Sequence, residues 1–571
     1  MHDADPVTCA ASGAIAHPAL VAHSAGYAPR VHQVNDRVWC AVGYGLSNVT
    51  LVRGDEGAIL IDSGECREEM AEVLEAFGPL LDRPVVAFIC SHSHYLGGTA
   101  EVIARWGPGV EIWAHESLGE VMAEVGAEFG PAYRRRLRIQ FGFDLPADGP
   151  DAMPNFGLGP VLFRRGPSTY GFVPPNRSVA RDQPLEACIA GLRVRFDGRF
   201  AADSRDTLII DFPDLRTVVN NHVWPVLFNV YPLRGEAYRD PQVVIAAIDA
   251  IRDARPEWLV GVHGLPVLGA RDVQACLADH RDALQYLWDQ TVRGINAGLG
   301  PDDLAATISL PPRLSDSRWV PTFYGEPAYH VRAIHNGLFG WFGGDCSTLH
   351  PVTPDRRAEL LVAGLGGREA VLAQVRQAIA RGEPGWAAEL CSHLLRLDAG
   401  DAQAAALKAA VLRTMAQRTP AANTRAFMLE EARRLETGRA GRRPDSPPPS
   451  RALVMQAPPE RFVRAMGARL DPQAAADVDR VFRLRQTDAD HVCGLHVMRG
   501  VARFLAASAF ASADARVDVA LACDRATWAL LLSGRQSLAA ALAAGGAVIE
   551  AGDPTALRAF FTLFDGLTLG G

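Results

Sequence analysis

The sequence predicts an α/β fold built as a layered sandwich, followed by a mostly helical region and a compact α+β unit. Three observations carry this. Short apolar strands punctuated by Gly-containing turns begin at Val31; strands run into helical stretches at both ends of residues 31–270; and residues 271–437 read as mostly helical. At 571 residues the chain exceeds what one hydrophobic core organises, so roughly two to four domains are expected.

Taken in order, residues 1–30 show no clear periodicity and read as an irregular N-terminal arm. Strands follow at Val38-Trp39-Cys40-Ala41-Val42, Asn48-Val49-Thr50-Leu51-Val52 and Ala58-Ile59-Leu60-Ile61-Asp62, separated by Arg53-Gly54-Asp55-Glu56-Gly57 and closed by Ser63-Gly64. Residues 66–81 read as a helix, 85–90 as a strand and 99–106 as a helix. The Gly- and Pro-rich stretch 118–180 reads as a lid or binding loop, with Phe141, Phe143, Phe156, Phe163, Tyr170 and Phe172 available for an apolar rim. Strand character returns from Ala190 to Val219. Residues 242–254 are helical before the strand Trp258-Leu259-Val260-Gly261-Val262. Helices are predicted over 367–382, 385–397, 402–415 and 423–437. The Pro-rich stretch 438–459 is the linker to a compact α+β unit at 460–571 that carries no catalytic cluster.

Composition narrows the function. Hydrophobic residues make up 48% and charged residues 21%, the balance of an ordinary globular protein. A net charge of −8 gives no footing for nucleic acid. Lys408 is the only lysine, which leaves little room for Schiff-base chemistry. The ten cysteines are scattered without a C-x-x-C pair, which suits a reducing compartment. With no basic, apolar leader and no long apolar run, a cytoplasmic protein without a transmembrane segment is expected.

Chemistry concentrates at Ser91-His92-Ser93-His94-Tyr95-Leu96-Gly97-Gly98, after the apolar run Val85 to Cys90. Alternate residues of an extended segment point the same way, so His92 and His94 can share one metal ion at a strand's carboxyl end. The partners must come from other strand ends. Asp203 and Asp206, before the strand Thr207 to Phe212, compete for one ligand position, and an Asx turn is the bland role for either. His263, at the end of its strand before Gly264-Leu265-Pro266, is a further ligand candidate; His222, after Asn220 and Asn221, reads as a hydrogen-bonding cleft residue. Asp62 reads as an acceptor that braces the His-Ser-His turn from behind.

The block Asn48 to Gly64, the His92-Ser93-His94 turn, and Val230-Tyr231-Pro232-Leu233-Arg234-Gly235 with Arg239-Asp240-Pro241 resemble the metallo-β-lactamase superfamily, in particular its type III alkylsulfatase branch. Residues 290–345, with Phe323-Tyr324-Gly325, resemble the alkylsulfatase dimerisation domain, and residues 452–571 resemble its sterol carrier protein-like terminal domain. The resemblance implies an αββα sandwich at 31–270, a dimerising helical domain at 271–437 and a homodimer. It implies His92, His94 and His263 as metal histidines, with Asp203 where the family has a metal-binding Glu. It also implies Arg234 as the holder of the sulfate, with the Gly157-Leu158-Gly159 loop beside it. The family's His-Ser-His-x-Asp-His-x-Gly-Gly is here His-Ser-His-Tyr-Leu-Gly-Gly, so the second metal loses an Asp and a His. Its bridging Glu falls at Asn221, followed by His222, and a family His position falls near Tyr329 or His330.

The expectation is therefore a hydrolase with one zinc ion that cleaves a small anionic, sulfate-type ester of aliphatic character. The metal is held by His92, His94 and Asp203 with His263 nearby, Arg234 reads the anion, and Asp206 or Tyr95 assists proton transfer. Two histidines and a carboxylate are also the ligand set of non-haem Fe(II) oxygenases, so Fe2+ redox chemistry is the alternative. A non-catalytic metal- or lipid-binding protein is the third reading. Phe504, Leu505, Phe510, Leu530, Leu531, Leu532, Phe560 and Phe561 either form an ordinary core in the terminal domain or line a lipid cavity.

Overall fold

A computed structural model describes residues 6–127, 129–162, 167–438, 451–456, 459–489, 491–567 and 569. Two compact units divide the chain: residues 1–116 with 136–442, and residues 117–135 with 443–571.

The first unit contains the expected sandwich. One sheet has the spatial order Arg30–Gln33, Val38–Val42, Val49–Arg53, Ala58–Ile61, Val85–Ile89, Glu111–His115, Arg177–Val179. Its first strands pair antiparallel, and the run from Ala58–Ile61 to Arg177–Val179 is parallel. The second sheet runs Leu185–Ile189, Leu192–Asp197, Ile209–Phe212, Thr217–Asn220, Trp258–Gly261, Val267–Leu268, with Thr217–Asn220 parallel to Trp258–Gly261. The apolar runs pack face to face: Val38, Cys40, Val52, Ile59 and Ile89 meet Val194, Phe196, Ile210, Phe212 and Val260 in one buried cluster. Burying each large apolar side chain stabilises the fold by about 1.5–3 kcal/mol. Helix Arg67–Phe77 buries Met70, Val73, Leu74 and Phe77, an i, i+3, i+4, i+7 stripe. Helix Pro241–Asp253 starts at the Asp240 cap and buries Val244, Ile245, Ile248 and Ile251 in the same way.

The helical layer begins at Ala270–Asn296 and continues through Arg368–Ala380, Pro384–Leu397, Ala402–Arg418 and Ala422–Glu436, close to the predicted bounds. The second unit holds a sheet ordered Val501–Leu505, His491–Met498, Asp479–Gln486, Val519–Cys523, Ala547–Ala551 over a core that includes Phe482, Trp528, Phe560 and Phe561. Leu531 and Leu532 are in that core too, and Phe504 is partly buried against it, so these residues pack a domain core. Among the described residues no helix is long and apolar enough to cross a membrane.

Four expectations change. The N-terminal arm is not irregular: Thr8–Cys9 pairs with Ile15–Ala16 and leads into helix Pro18–His23, whose Leu20 is fully buried. Arg425 supplies the reason, because its buried guanidinium donates to the carbonyls of Ile15, Ala152 and Ala416. The stretch 118–180 is not one long loop; it contains helices Leu118–Ala127 and Gly130–Gln140. Phe141 and Phe156 form no rim, since their rings meet at 5.7 Å inside the core, and Phe163 lies outside the described residues. The predicted linker 438–459 includes helix Arg451–Gln456, while 439–450 and 457–458 lie outside the described residues.

Candidate metal centre

The turn carrying His92 and His94 follows strand Val85–Ile89 and precedes helix Thr99–Trp106. It packs directly on the chain after Asp62: a Cβ placed on Gly97 would sit 1.9 Å from the Glu65 carbonyl oxygen, so only glycine fits. Asp62 itself has φ +60°, a left-handed conformation that Asp tolerates, and it turns its carboxylate onto Ser91. The Ser91 amide and hydroxyl donate to Asp62 at 2.8 and 2.7 Å, and Ser91 Oγ lies 2.8 Å from His92 Nδ1. The predicted brace therefore acts through a serine. It leaves His92 Nε2 fully buried and without a hydrogen-bond partner.

That nitrogen faces Asp203 Oδ2 at 3.6 Å, and His94 Nδ1 lies 3.2 Å from the same oxygen. Ligand atoms of His92, His94 and Asp203 all fall within 4.8 Å of one another. A buried imidazole nitrogen left bare beside a second imidazole and a carboxylate is the donor set a divalent cation satisfies, so the residues fit an ion. Asp203 rather than Asp206 joins the histidines. Its other oxygen accepts from Asn221 Nδ2 at 2.5 Å, and Asn221 Oδ1 accepts from Trp224 Nε1 at 3.0 Å. Asp206 instead takes the hydroxyls of Ser93 and Ser204, with Oδ2 buried and unpartnered.

Electrostatics follow burial and partners. Burial drives His92 down to about 3, so it stays neutral. Burial also opposes charge on His94, but Asp203 and Glu236 outweigh it and raise its pKa. Asp203 is held well below the carboxylate range because the two histidines and Arg239 overcome its desolvation. Burial lifts Asp62 to about 7 against the two Ser91 hydrogen bonds.

His263 stands apart from these three. The parallel pairing of Thr217–Asn220 with Trp258–Gly261 sets Asn221 and His263 at neighbouring strand ends, as predicted. However, His263 Nδ1 lies 2.9 Å from the Leu46 carbonyl and Nε2 lies 3.1 Å from the Tyr95 hydroxyl. Both ring nitrogens of His263 are therefore partnered, one by backbone and one by the phenol.

Behind His94 lies a group the sequence reading missed. Glu236, its side chain 7% exposed, accepts from Arg234 Nη2 at 2.8 Å and Nε at 3.1 Å, pairs with Arg239, and lies 3.8 Å from His94 Nε2. Burial works against its charge, but the two arginines overcome it and hold Glu236 at about 2. Arg234 Nη1 also reaches the Tyr324 hydroxyl at 3.4 Å, and the Arg234 amide donates to Gln140 at 3.0 Å. An acid two residues after Arg234 and three before Arg239 is the only local signal of this hub.

The other predicted residues divide. His330 is fully buried with both ring nitrogens unpartnered, as are Asn229 Nδ2, Asn229 Oδ1 and Arg239 Nε. A Cβ on Gly325 would lie 2.7 Å from His330 Nε2 and 3.6 Å from Asn229 Oδ1, so these groups surround one small space. Tyr329 is not part of it, because its hydroxyl is bonded to Thr424 at 2.6 Å. His222 is turned away from the histidines onto the Phe200 carbonyl at 3.1 Å. Gly157 and Gly159 serve as close-packing points: Cβ atoms there would meet Phe323 O at 2.5 Å and Leu46 O at 2.6 Å. The Gly157 amide is already taken by Asn155, and its carbonyl accepts from Tyr27.

Comparison with known proteins agrees with this architecture. The metallo-beta-lactamase superfamily profile matches residues 42–162, the alkyl sulfatase dimerisation profile residues 300–438 and the alkyl sulfatase C-terminal profile residues 448–568. A linear primary-alkylsulfatase of Pseudomonas sp. (strain ATCC 19151) is 32% identical over 530 residues, covering 90% of this chain and 98% of that protein. An (R)-specific secondary-alkylsulfatase of Pseudomonas sp. is 27% identical over 94% of this chain and 80% of its own length. Among solved structures, a double mutant of the sec-alkyl sulfatase PisA1 superposes with TM-score 0.87 at 25% identity, covering 99% of this chain and 88% of that one.

Proposed function

The chain belongs to the alkylsulfatase family of the metallo-beta-lactamase superfamily, and from that premise we propose that it hydrolyses sulfate esters of aliphatic alcohols with one metal ion per chain. The observation that carries the reading is the convergence of His92 Nε2, His94 Nδ1 and Asp203 Oδ2, with the Tyr95 hydroxyl on His263 where a second ion would need a nitrogen.

His92, His94 and Asp203 would hold the ion, and His263 supports the cleft through Leu46 and Tyr95. A zinc ion there would supply Lewis-acid polarisation and lower the pKa of water. The chain's own residues do the rest. Asn221 fixes the Asp203 carboxylate by its second oxygen. Glu236 lies 3.8 Å from His94 Nε2, at ion-pair distance on the side away from Nδ1, the nitrogen beside Asp203 that would ligate the ion. Arg234 and Arg239 supply the positive field for the sulfate, and the bare Arg239 Nε, Asn229 amide and His330 imidazole are hydrogen-bonding groups that sulfate oxygens and bridging water would satisfy. Burial raises the Asp206 pKa, and Asp206 is one hydrogen bond from the His92–His94 turn through Ser93, the position of a proton acceptor. Burial keeps the Tyr95 phenol protonated as a donor. The helical layer pairs two copies of the chain, and ten free cysteines suit the cytoplasm.

Elemental analysis of wild type and His94→Ala, expressed with zinc and iron both supplied, tests the site. About one zinc per chain, lost in the variant together with sulfate release from an alkyl sulfate, is expected. One iron lost in the same way moves the reading to oxygen chemistry on the same ligands. Two metals per chain overturn the mononuclear site, and no bound metal leaves a binding protein.

A further inference from the structure

We propose that Glu236 is a charge-selecting residue: a resident carboxylate seated between Arg234 and Arg239 that fits the site to singly charged sulfate esters and against doubly charged phosphate monoesters. This rests on the reading that the two arginines face the substrate's anionic group. Two guanidiniums 6% and 3% exposed, side by side behind the metal histidines, would attract a dianion strongly. Glu236 cancels one of those charges. It takes Nε and Nη2 of Arg234 and one nitrogen of Arg239, so the bidentate fork of Arg234 is already filled by a carboxylate. Among the buried side chains Arg234, Arg239, Asp203 and Glu236 the charges balance, so the Glu236 carboxylate removes one positive charge that a second negative charge on the ligand would otherwise meet.

The argument is Coulombic. Interaction energy scales with the ligand's charge, so the Glu236 carboxylate repels a dianion about twice as strongly as a monoanion at the same distance. A sulfate monoester carries one negative charge and a phosphate monoester two when ionised, while the two head groups have the same tetrahedral shape. Shape cannot separate them at this site; the number of fixed charges can. Glu236 is buried, so solvent does not screen this difference away.

The test uses octane-1-sulfonate and octylphosphonate, which the protein cannot hydrolyse, at a pH where the phosphonate carries two charges. Binding is measured by calorimetry on protein as purified and after metal removal. Wild type binds the sulfonate more tightly, and the reverse order overturns the proposal. In Glu236→Gln, which keeps an oxygen acceptor without the charge, the affinity ratio shifts toward the phosphonate by about tenfold or more. Equal changes for both ligands, the result of a merely structural role, overturn it. If Glu236→Gln does not fold, Arg234→Gln carries the test, with a shift toward the sulfonate expected and equal change overturning it. Sulfate release by wild type is measured separately: failure there sinks the sulfatase reading and leaves the charge selection standing on the binding ratios.

Discussion

Tyr95 and His330 carry the residue-scale consequences. The Tyr95 hydroxyl partners a His263 nitrogen that is otherwise buried. Tyr95→Phe leaves that nitrogen unsatisfied and is expected to cost about 1–3 kcal/mol in unfolding, with metal content unchanged. A fall in bound metal would instead make Tyr95 a ligand. His330 is driven by burial to about 3 from 6.5 and stays neutral in the fold. As pH falls below 6.5 the unfolded chain takes a proton that the folded chain refuses, so this contribution to stability is present above that pH and lost on acidification. His330→Gln should flatten the acid limb by up to about 1.4 kcal/mol per pH unit, read from unfolding midpoints between pH 6.5 and about 4. His92 and His94 were legible because two histidines two apart, in a turn directly after an apolar strand, are a local pattern. Asp203 against Asp206 was not, since both lie in one turn and only the approach of the His92–His94 turn separates them.

At the scale of elements, the site is held by backbone meeting backbone. Gly159 packs on Leu46, and the Leu46 carbonyl holds His263 Nδ1. Gly159→Ala would press a methyl group 2.6 Å from that oxygen and should destabilise the protein by about 1–3 kcal/mol while lowering activity. Thermal unfolding with sulfate-release kinetics checks both, and an unchanged enzyme would separate the Gly157–Gly159 loop from the site. Strands and amphipathic helices of the sandwich were legible because their apolar periodicity is local. Helix Gly130–Gln140, with Arg134, Arg135, Arg136 and Arg138, shows no such stripe, so its sequence reads as loop. The N-terminal hairpin and helix were missed for a related reason: their order comes from Arg425 and the 150–152 carbonyls, not from their own pattern.

Among the described residues, exposed large apolar side chains recur over residues 338–360, a stretch that calls for a partner. Phe339 is 68% and Trp341 67% exposed, with Leu338, Leu349, Val352 and Leu360 also exposed, all in the stretch matched by the dimerisation profile. Sedimentation should find wild type as a dimer, and Phe339→Ser with Trp341→Ser should shift it toward monomer; a double variant still fully dimeric would place the interface elsewhere. Chain order hides the grouping of residues 117–135 with 443–571, which no linker signal marks.

The sequence by itself determined the layered sandwich, the helical layer, the terminal α+β unit and the His-Ser-His turn. These are local properties: periodicity, turn residues and motif spacing. Only the tertiary structure decided that Asp203 completes the cluster, that Tyr95 covers His263, and that Glu236 sits between Arg234 and Arg239 behind His94. Each of these depends on which residues become neighbours when distant strand ends meet, and on burial that turns weak surface charges into strong, specific partners.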